Sequence, residues 1–161
     1  MSSNTEGLSL EVLQQFRVIY GTMRQYFRSL EQCCGLPGSQ MWMLQEIERT
    51  PLLGVSELAR RLGVHQSTCS LVVEKLVARG YVQRQKTPED LRRVGLVLAD
   101  KGWAALAQLP GPAEGVLPCA LAKLPLVALK TLNINLDELI SHLNGSDEGF
   151  AQTPLADIVN G

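Results

Sequence analysis

No stretch of the 161 residues approaches the roughly 20 uninterrupted apolar positions of a membrane span. The opening MSSNTEGLSL lacks both the basic flank and the apolar run of a signal peptide. No membrane partner and a cytoplasmic location are therefore expected. Cysteine is scarce and poorly spaced for metal: Cys33, Cys34, Cys69 and Cys119 form no Cys-x-x-Cys pair, and His65 and His142 stand alone. Neither zinc nor any other metal or cofactor is expected. A Gly-rich phosphate loop is missing, as is a nucleophile with a local base, which argues against an enzyme. Net charge is nearly missing too: 15 Lys and Arg against 16 Asp and Glu leave -1, at first sight a poor match to a nucleic-acid partner. What the chain does have is 45% hydrophobic and only 19% charged residues. That apolar content offsets the entropy of ordering a single domain.

Along the chain, Leu10, Leu13, Phe16, Tyr20, Met23, Phe27 and Leu30 recur every three or four residues without an intervening Pro. The spacing predicts one long amphipathic helix over about 8–34. Gly35, Pro37 and Gly38 end it, Ser39 is placed to cap a second helix through Met41, Leu44 and Ile47, and Pro51 closes that one. Leu58, Ala59 and Leu62 then line a short helix, Gly63 and Val64 follow, and Cys69, Val72, Val73 and Leu76 line the next. Two short helices joined through a Gly, with a small residue where they cross, predict a helix-turn-helix. Ala59 permits close approach, and Gly63 supplies the left-handed backbone that ends the first helix.

After Gly80 the period changes to two. Tyr81–Gln85 and Arg93–Leu98 read as strands of a hairpin around the polar Lys86–Arg92. A helix is expected from Ala99 or Asp100 through Trp103 and Leu109 to Pro110-Gly111-Pro112, with helical pieces starting at Pro112 and Pro125. The last of these places Leu129, Leu132, Leu136, Leu139 and Leu143 on one stripe. Residues 1–7 read as a flexible N-terminus and 144–161 as a mobile polar tail.

The helix facing outward after the turn presents His65, Gln66, Ser67, Thr68, Ser70, Leu71 and Glu74. Gln pairs with adenine, hydroxyls reach bases or phosphate, and Leu71 suits a thymine methyl, so this face is a candidate for base readout. Arg84, Lys86, Arg92 and Arg93 on the hairpin are candidate phosphate contacts. His65 is expected to cap the helix or meet phosphate, and His142 to lie on the surface. Cys69 is expected to be a buried small hydrophobe, while Cys33, Cys34 and Cys119 are the candidates for redox chemistry.

The run from Val55 to Val82, with its Leu58-Ala-x-x-Leu-Gly-Val64 turn, followed by Asp90-Leu-Arg92 and Leu98-Ala-Asp-Lys-Gly102, resembles the MarR family of bacterial winged-helix transcription regulators. The resemblance spans roughly residues 8–143. It implies a mainly α fold with a small β wing, a winged helix-turn-helix lobe over about 40–98, and dimerisation helices over about 8–34 and 100–143. It further implies a homodimer on a pseudo-palindromic double-stranded DNA operator, usually a repressor released by a small phenolic effector or by cysteine oxidation. Arg92 matches the family arginine that enters the minor groove, and Asp90 its partner acid, which is expected to orient the guanidinium. Family members often carry arginine where Leu71 stands. Tyr20, Tyr26, Trp42 and Trp103 fall in helices that the family packs around its ligand cavity.

The apolar stripes Leu10–Leu30 and Leu129–Leu143 exceed what one lobe covers, which by itself predicts a dimer. Alternatives are a cysteine-based redox-sensing repressor and an interaction adaptor that keeps the winged fold without binding DNA. The basic hairpin weighs against the adaptor. Residues 60–93 hold eight bases and three acids, or +5, and the rest of the chain carries -6. The near-zero total hides a segregated charge that suits DNA after all.

Overall fold

The computed structural model describes residues 2–159. Its first helix, α1 (Ser2–Cys34), begins well before the expected residue 8. The segment expected to be flexible is helical from Ser2 onward, because nothing in it blocks extension of a helix already nucleated further along. Met1, Asn160 and Gly161, the remaining parts of the expected flexible ends, lie outside the described residues. After Gly35, which has φ +75°, α2 (Gly38–Arg49) starts from Pro37 with no side-chain cap. Ser39 is not the cap: its hydroxyl donates to Asp157 Oδ1 at 2.8 Å.

The helix-turn-helix comprises α3 (Val55–Leu62) and α4 (Gln66–Ala78). Gly63 takes the left-handed conformation at φ 69°, and Val64 N–H closes onto the Ala59 carbonyl at 3.0 Å. Ala59 is buried where the helices cross, as its size requires. Strands β1 (Val82–Lys86) and β2 (Val94–Leu98) pair antiparallel with Val82 opposite Leu98 and Lys86 opposite Val94. A short third partner is added where Leu53 bridges Leu96, with Leu52 N–H donating to the Leu96 carbonyl and Leu96 N–H to the Leu53 carbonyl, both at 2.9 Å. This tie runs so close that a Cβ on Gly95 would lie 2.5 Å from the Leu52 backbone.

Helix α5 (Asp100–Leu106) follows, with Gly102 against the Tyr81 carbonyl. The piece expected to start at Pro112 starts instead as α6 (Val116–Ala122), because Gly115 at φ 96° interposes a turn. Helix α7 (Leu126–Ser141) begins after Pro125 as expected. The expected mobile tail is folded over much of its length: a 3-10 turn (Glu148–Gln152) leads to α8 (Leu155–Val159). Ala156 and Val159 of α8 are buried against Met23 and Phe27, apolar contacts that hold the segment down.

The main core is built by Leu30, Leu36, Met41, Leu44, Ile47, Leu58, Val73, Leu76 and Leu96, all essentially inaccessible. It joins the end of α1 to the winged lobe. The first half of α1 and all of α7 stay outside it: Leu8, Leu13, Phe16, Ile19, Val127, Ile134 and Ile140 are exposed, and α7 buries no residue. Among the described residues no helix is long and apolar enough to cross a membrane.

Candidate nucleic-acid interface

Cys69, Val73 and Leu76 sit at helical spacing and are fully buried, so the opposite face of α4 must point outward. Gln66, Ser67, Thr68, Leu71 and Glu74 are exposed on it, with Ser70 half-buried at its margin. Leu71 is 62% exposed, an apolar side chain that the fold itself does not use. His65 precedes the helix in extended conformation, but its side chain makes no cap bond; the backbone carbonyl accepts from Cys69 N–H at 3.0 Å. The Cys69 thiol donates to the Val55 carbonyl at 3.8 Å, and burial pushes its pKa up to about 11. It is packing, as expected.

The hairpin tip is closed by Thr87, whose hydroxyl donates to the Asp90 carbonyl at 2.7 Å and whose N–H meets the Arg93 carbonyl at 3.0 Å. Asp90 was expected to orient the Arg92 guanidinium. Its Oδ1 instead accepts the Arg92 backbone N–H at 2.9 Å, a two-residue side-chain turn that shapes the loop and leaves the guanidinium free. Arg84, Lys86, Arg92 and Arg93 are all exposed, and among the described residues none is in an ion pair.

Two of the eight bases in residues 60–93 do not belong to this surface. Arg60 is held by Glu57 through two bonds, from Nε at 2.9 Å and Nη2 at 2.5 Å. Arg61 spans Glu57 Oε1 at 3.2 Å, Glu46 Oε2 at 3.3 Å and Thr50 Oγ1 at 2.8 Å, tying α3 to α2. The hydrogen bonds from Arg60 and Arg61 hold the Glu57 carboxyl down at about 2. Counting charge by segment therefore overstates the basic face, because Glu46 and Glu57 lie outside the segment and neutralise it from there. Conversely, the sequence offered no sign that Arg79 and Lys101 share one ring. Their charged groups lie 5.3 and 4.8 Å from the Tyr81 centroid, and Lys101 Nζ donates to the Arg79 carbonyl at 3.2 Å.

The four aromatics expected around a ligand cavity are not gathered in one place. Tyr20 and Trp103 are 48% and 52% exposed. Trp103 faces outward because Gly102 and Ala105 occupy the inner side of α5. The Tyr26 hydroxyl donates to the Pro112 carbonyl at 2.6 Å, and burial, then Glu114, raises its pKa. Trp42 borders a cavity of about 10 Å³ between α1, α2 and α8. All four cysteines are free thiols: Cys33 is exposed, Cys34 and Cys119 half-buried. Burial and the neighbouring Cys33 raise the Cys34 pKa, which moves it away from the reactive thiolate. No group of three or more His, Cys, Asp or Glu fit for a metal occurs among the described residues.

Residues 35–93 match the model of the MarR family. A curated relative, the putative transcriptional regulatory protein for the hcr operon of Thauera aromatica, is 34% identical over 86 residues, 53% of this chain and 52% of its own length. The chain thus spans about half the length of the curated relative it matches. A probable transcriptional regulator from Pseudomonas aeruginosa is 27% identical, with a TM-score of 0.52 over 76% of this chain and 93% of its own. Sco3205 from Streptomyces coelicolor, a MarR family transcriptional regulator solved in complex with DNA, shares the fold at 23% identity and a TM-score of 0.54, over 84% of this chain and 88% of its own. Residues 35–93 are thus similar to the MarR family, and the mainly helical chain with its two-stranded wing shares the fold of these solved regulators.

Proposed function

We propose that the protein is a homodimeric, sequence-specific DNA-binding transcription regulator, a repressor released by a small aromatic effector. The observation that carries the reading is the pairing of two exposed surfaces with no structural use. These are the α4 face of Gln66, Ser67, Thr68, Ser70, Leu71 and Glu74, and the hairpin with Arg84, Lys86, Arg92 and Arg93 unpaired beside it. A helix of this width enters the major groove and reads base edges, while the wing cations follow phosphates and Arg92 reaches the minor groove. Asp90 serves by fixing the loop that aims Arg92.

The dimer follows from unpartnered apolar surface. Leu8, Leu13, Phe16 and Ile19 of α1 and Leu126, Val127, Ile134 and Ile140 of α7 are all exposed. Soluble chains do not leave stripes of this length in water, and a twofold partner covers both with the same contacts. Such a dimer spaces two α4 helices by about one turn of DNA, roughly 34–36 Å, which matches a pseudo-palindromic operator.

Selection of bound fragments from total genomic DNA, followed by anisotropy titration at several salt concentrations, tests the reading. The expected result is a recurrent inverted repeat bound with a steep salt dependence. Binding that is salt-independent, or recovery of no common sequence, overturns it. Sedimentation at micromolar concentration is expected to give a dimer.

A further inference from the structure

We propose that the two DNA grooves are read by apolar contact: Leu71 on the 5-methyl group of a thymine in the major groove, and Leu91 on the minor-groove floor of an A·T pair. Both contacts rest on the regulator reading above and add to it the bases selected.

The winged lobe places nearly all of its large apolar side chains in its core. Among the described residues from 35 to 98, those left exposed are Leu71, at 62%, Leu91, at 69%, and Val94, at 48%. All lie on the surface assigned to DNA, on the outer face of α4 and at the end of the wing. They do not form a stripe of the kind that α1 and α7 present. Leu71 has Ser67 and Thr68 one turn before it and Glu74 and Lys75 one turn after it. Leu91 is followed by Arg92 and Arg93, which among the described residues have no ion-pair partner. An occupant of this surface must therefore offer negative charge and, at separate points, small apolar groups. Duplex DNA offers both.

The wing tip holds Leu91 out in a fixed position. The Asp90 carbonyl accepts from Arg93 N–H at 2.9 Å and from the Thr87 hydroxyl at 2.7 Å, and Asp90 Oδ1 accepts from Arg92 N–H at 2.9 Å. Leu91 and Arg92 are the two corners of the resulting four-residue turn. Val94 follows opposite Lys86, at the open end of the ladder. A loop already ordered loses little further entropy on entering a groove.

Leucine has neither donor nor acceptor, which restricts what each side chain can face. Guanine, adenine and cytosine present donors and acceptors in the major groove but no methyl group, and Leu71 would strip those of water without replacing it; thymine adds the methyl. In the minor groove an A·T pair presents only acceptors and the adenine C2–H. A G·C pair raises the guanine N2 amino donor, for which Leu91 has no acceptor. The group met by Leu71 is a base methyl, so 5-methylcytosine supplies it as thymine does.

The test scans the inverted repeat recovered by genomic selection, altering one symmetric pair of positions at a time and measuring the affinity of the full chain by anisotropy. Deoxyuridine in place of thymine removes only the methyl. At one position per half-site it is expected to weaken binding about fourfold per methyl, or about fifteenfold for the pair. Leu71→Ala is expected to abolish that difference and Leu71→Met to retain it. Cytosine at that position is expected to bind more weakly than thymine, and 5-methylcytosine to recover about the same fifteenfold. 2,6-Diaminopurine in place of adenine adds an amino group to the minor-groove floor. Beneath the wing it is expected to weaken binding about tenfold, and less in Leu91→Ala. The analogues leave the protein unaltered, so they decide the base preferences whether or not a variant melts early. Absence of a deoxyuridine effect, an equal effect in Leu71→Ala, or 5-methylcytosine no better than cytosine overturns the major-groove contact. An invariant G·C pair beneath the wing, or an equal diaminopurine effect in Leu91→Ala, overturns the minor-groove contact. A chain that binds no duplex, or all duplexes alike, refutes the regulator reading and both contacts with it, whereas a selected duplex indifferent to the analogues refutes the apolar readout alone.

Discussion

Gly95→Ala is the substitution whose cost the structure sets most directly. A methyl carbon there would lie 2.5 Å from both Leu52 Cα and its carbonyl oxygen and 2.7 Å from its carbonyl carbon. All three are backbone atoms, and Leu52 already sits at φ 65°, where a side-chain-bearing residue has little freedom to yield. The contact can be relieved only by separating β2 from residues 52–53. That breaks the two 2.9 Å bonds joining Leu52 and Leu53 to Leu96, at about 1 kcal/mol each. Residual crowding adds about 1–2 kcal/mol, so a loss of roughly 3–4 kcal/mol is expected. Urea unfolding at fixed protein concentration measures it, and because the tie fixes the root of the wing, DNA affinity is expected to fall as well. Gly21→Ala is the control: the same added methyl meets nothing within 4 Å in the middle of α1 and is expected to stabilise by up to about 1 kcal/mol. A Gly95→Ala loss no larger than about 1 kcal/mol would refute the close approach and the third-strand role built on it.

Further outcomes follow from the same contacts. Arg92→Ala is expected to leave the melting temperature unchanged, since its side chain makes no internal bond, and to lower the salt slope of DNA binding by about one. Because the Glu57 carboxyl lies near 2 in the folded chain against 4.5 ordinarily, its contribution is present above 4.5 and lost as the pH falls toward 2. The stability gap between wild type and Glu57→Gln should close across that window in acid melts. The Cys69 thiol, raised from 9.0 to about 11, contributes stability that is complete below 9 and lost as the pH rises toward 11. It should also resist alkylation in the native chain while Cys33 reacts, and rapid native labelling of Cys69 would contradict its burial. Tyr26→Phe removes the bond to the Pro112 carbonyl and is expected to cost about 1 kcal/mol in thermal unfolding.

The helix-turn-helix was legible in the sequence because its determinants are local. The apolar spacing of Leu58, Ala59, Leu62, Cys69, Val73 and Leu76 and the left-handed requirement at Gly63 act within about two helical turns, and all are realised. The wing was legible for the same reason, from its period of two and a polar turn. The expected roles of Ser39 and Asp90 were not realised, for one common cause. Each residue has a sensible local use, as helix cap and partner acid, but each is claimed by neighbours that local pattern does not reveal. Ser39 bonds a residue 118 positions away, and Asp90 meets the backbone of Arg92 rather than its side chain.

Composition and periodicity by themselves determined a mainly helical winged lobe, an outward α4 face and a surplus of apolar stripe, since these depend on short-range sterics and on the sum of apolar surface. Only the tertiary structure decided which cations remain free and what becomes of the C-terminal segment. Arg61 is neutralised by Glu46 across a helix pair, and residues 155–159 fold into a seat made by Phe27 and Gly38. Pairing and docking of this kind depend on distances between parts far apart in the chain, and these exist only after the core has closed.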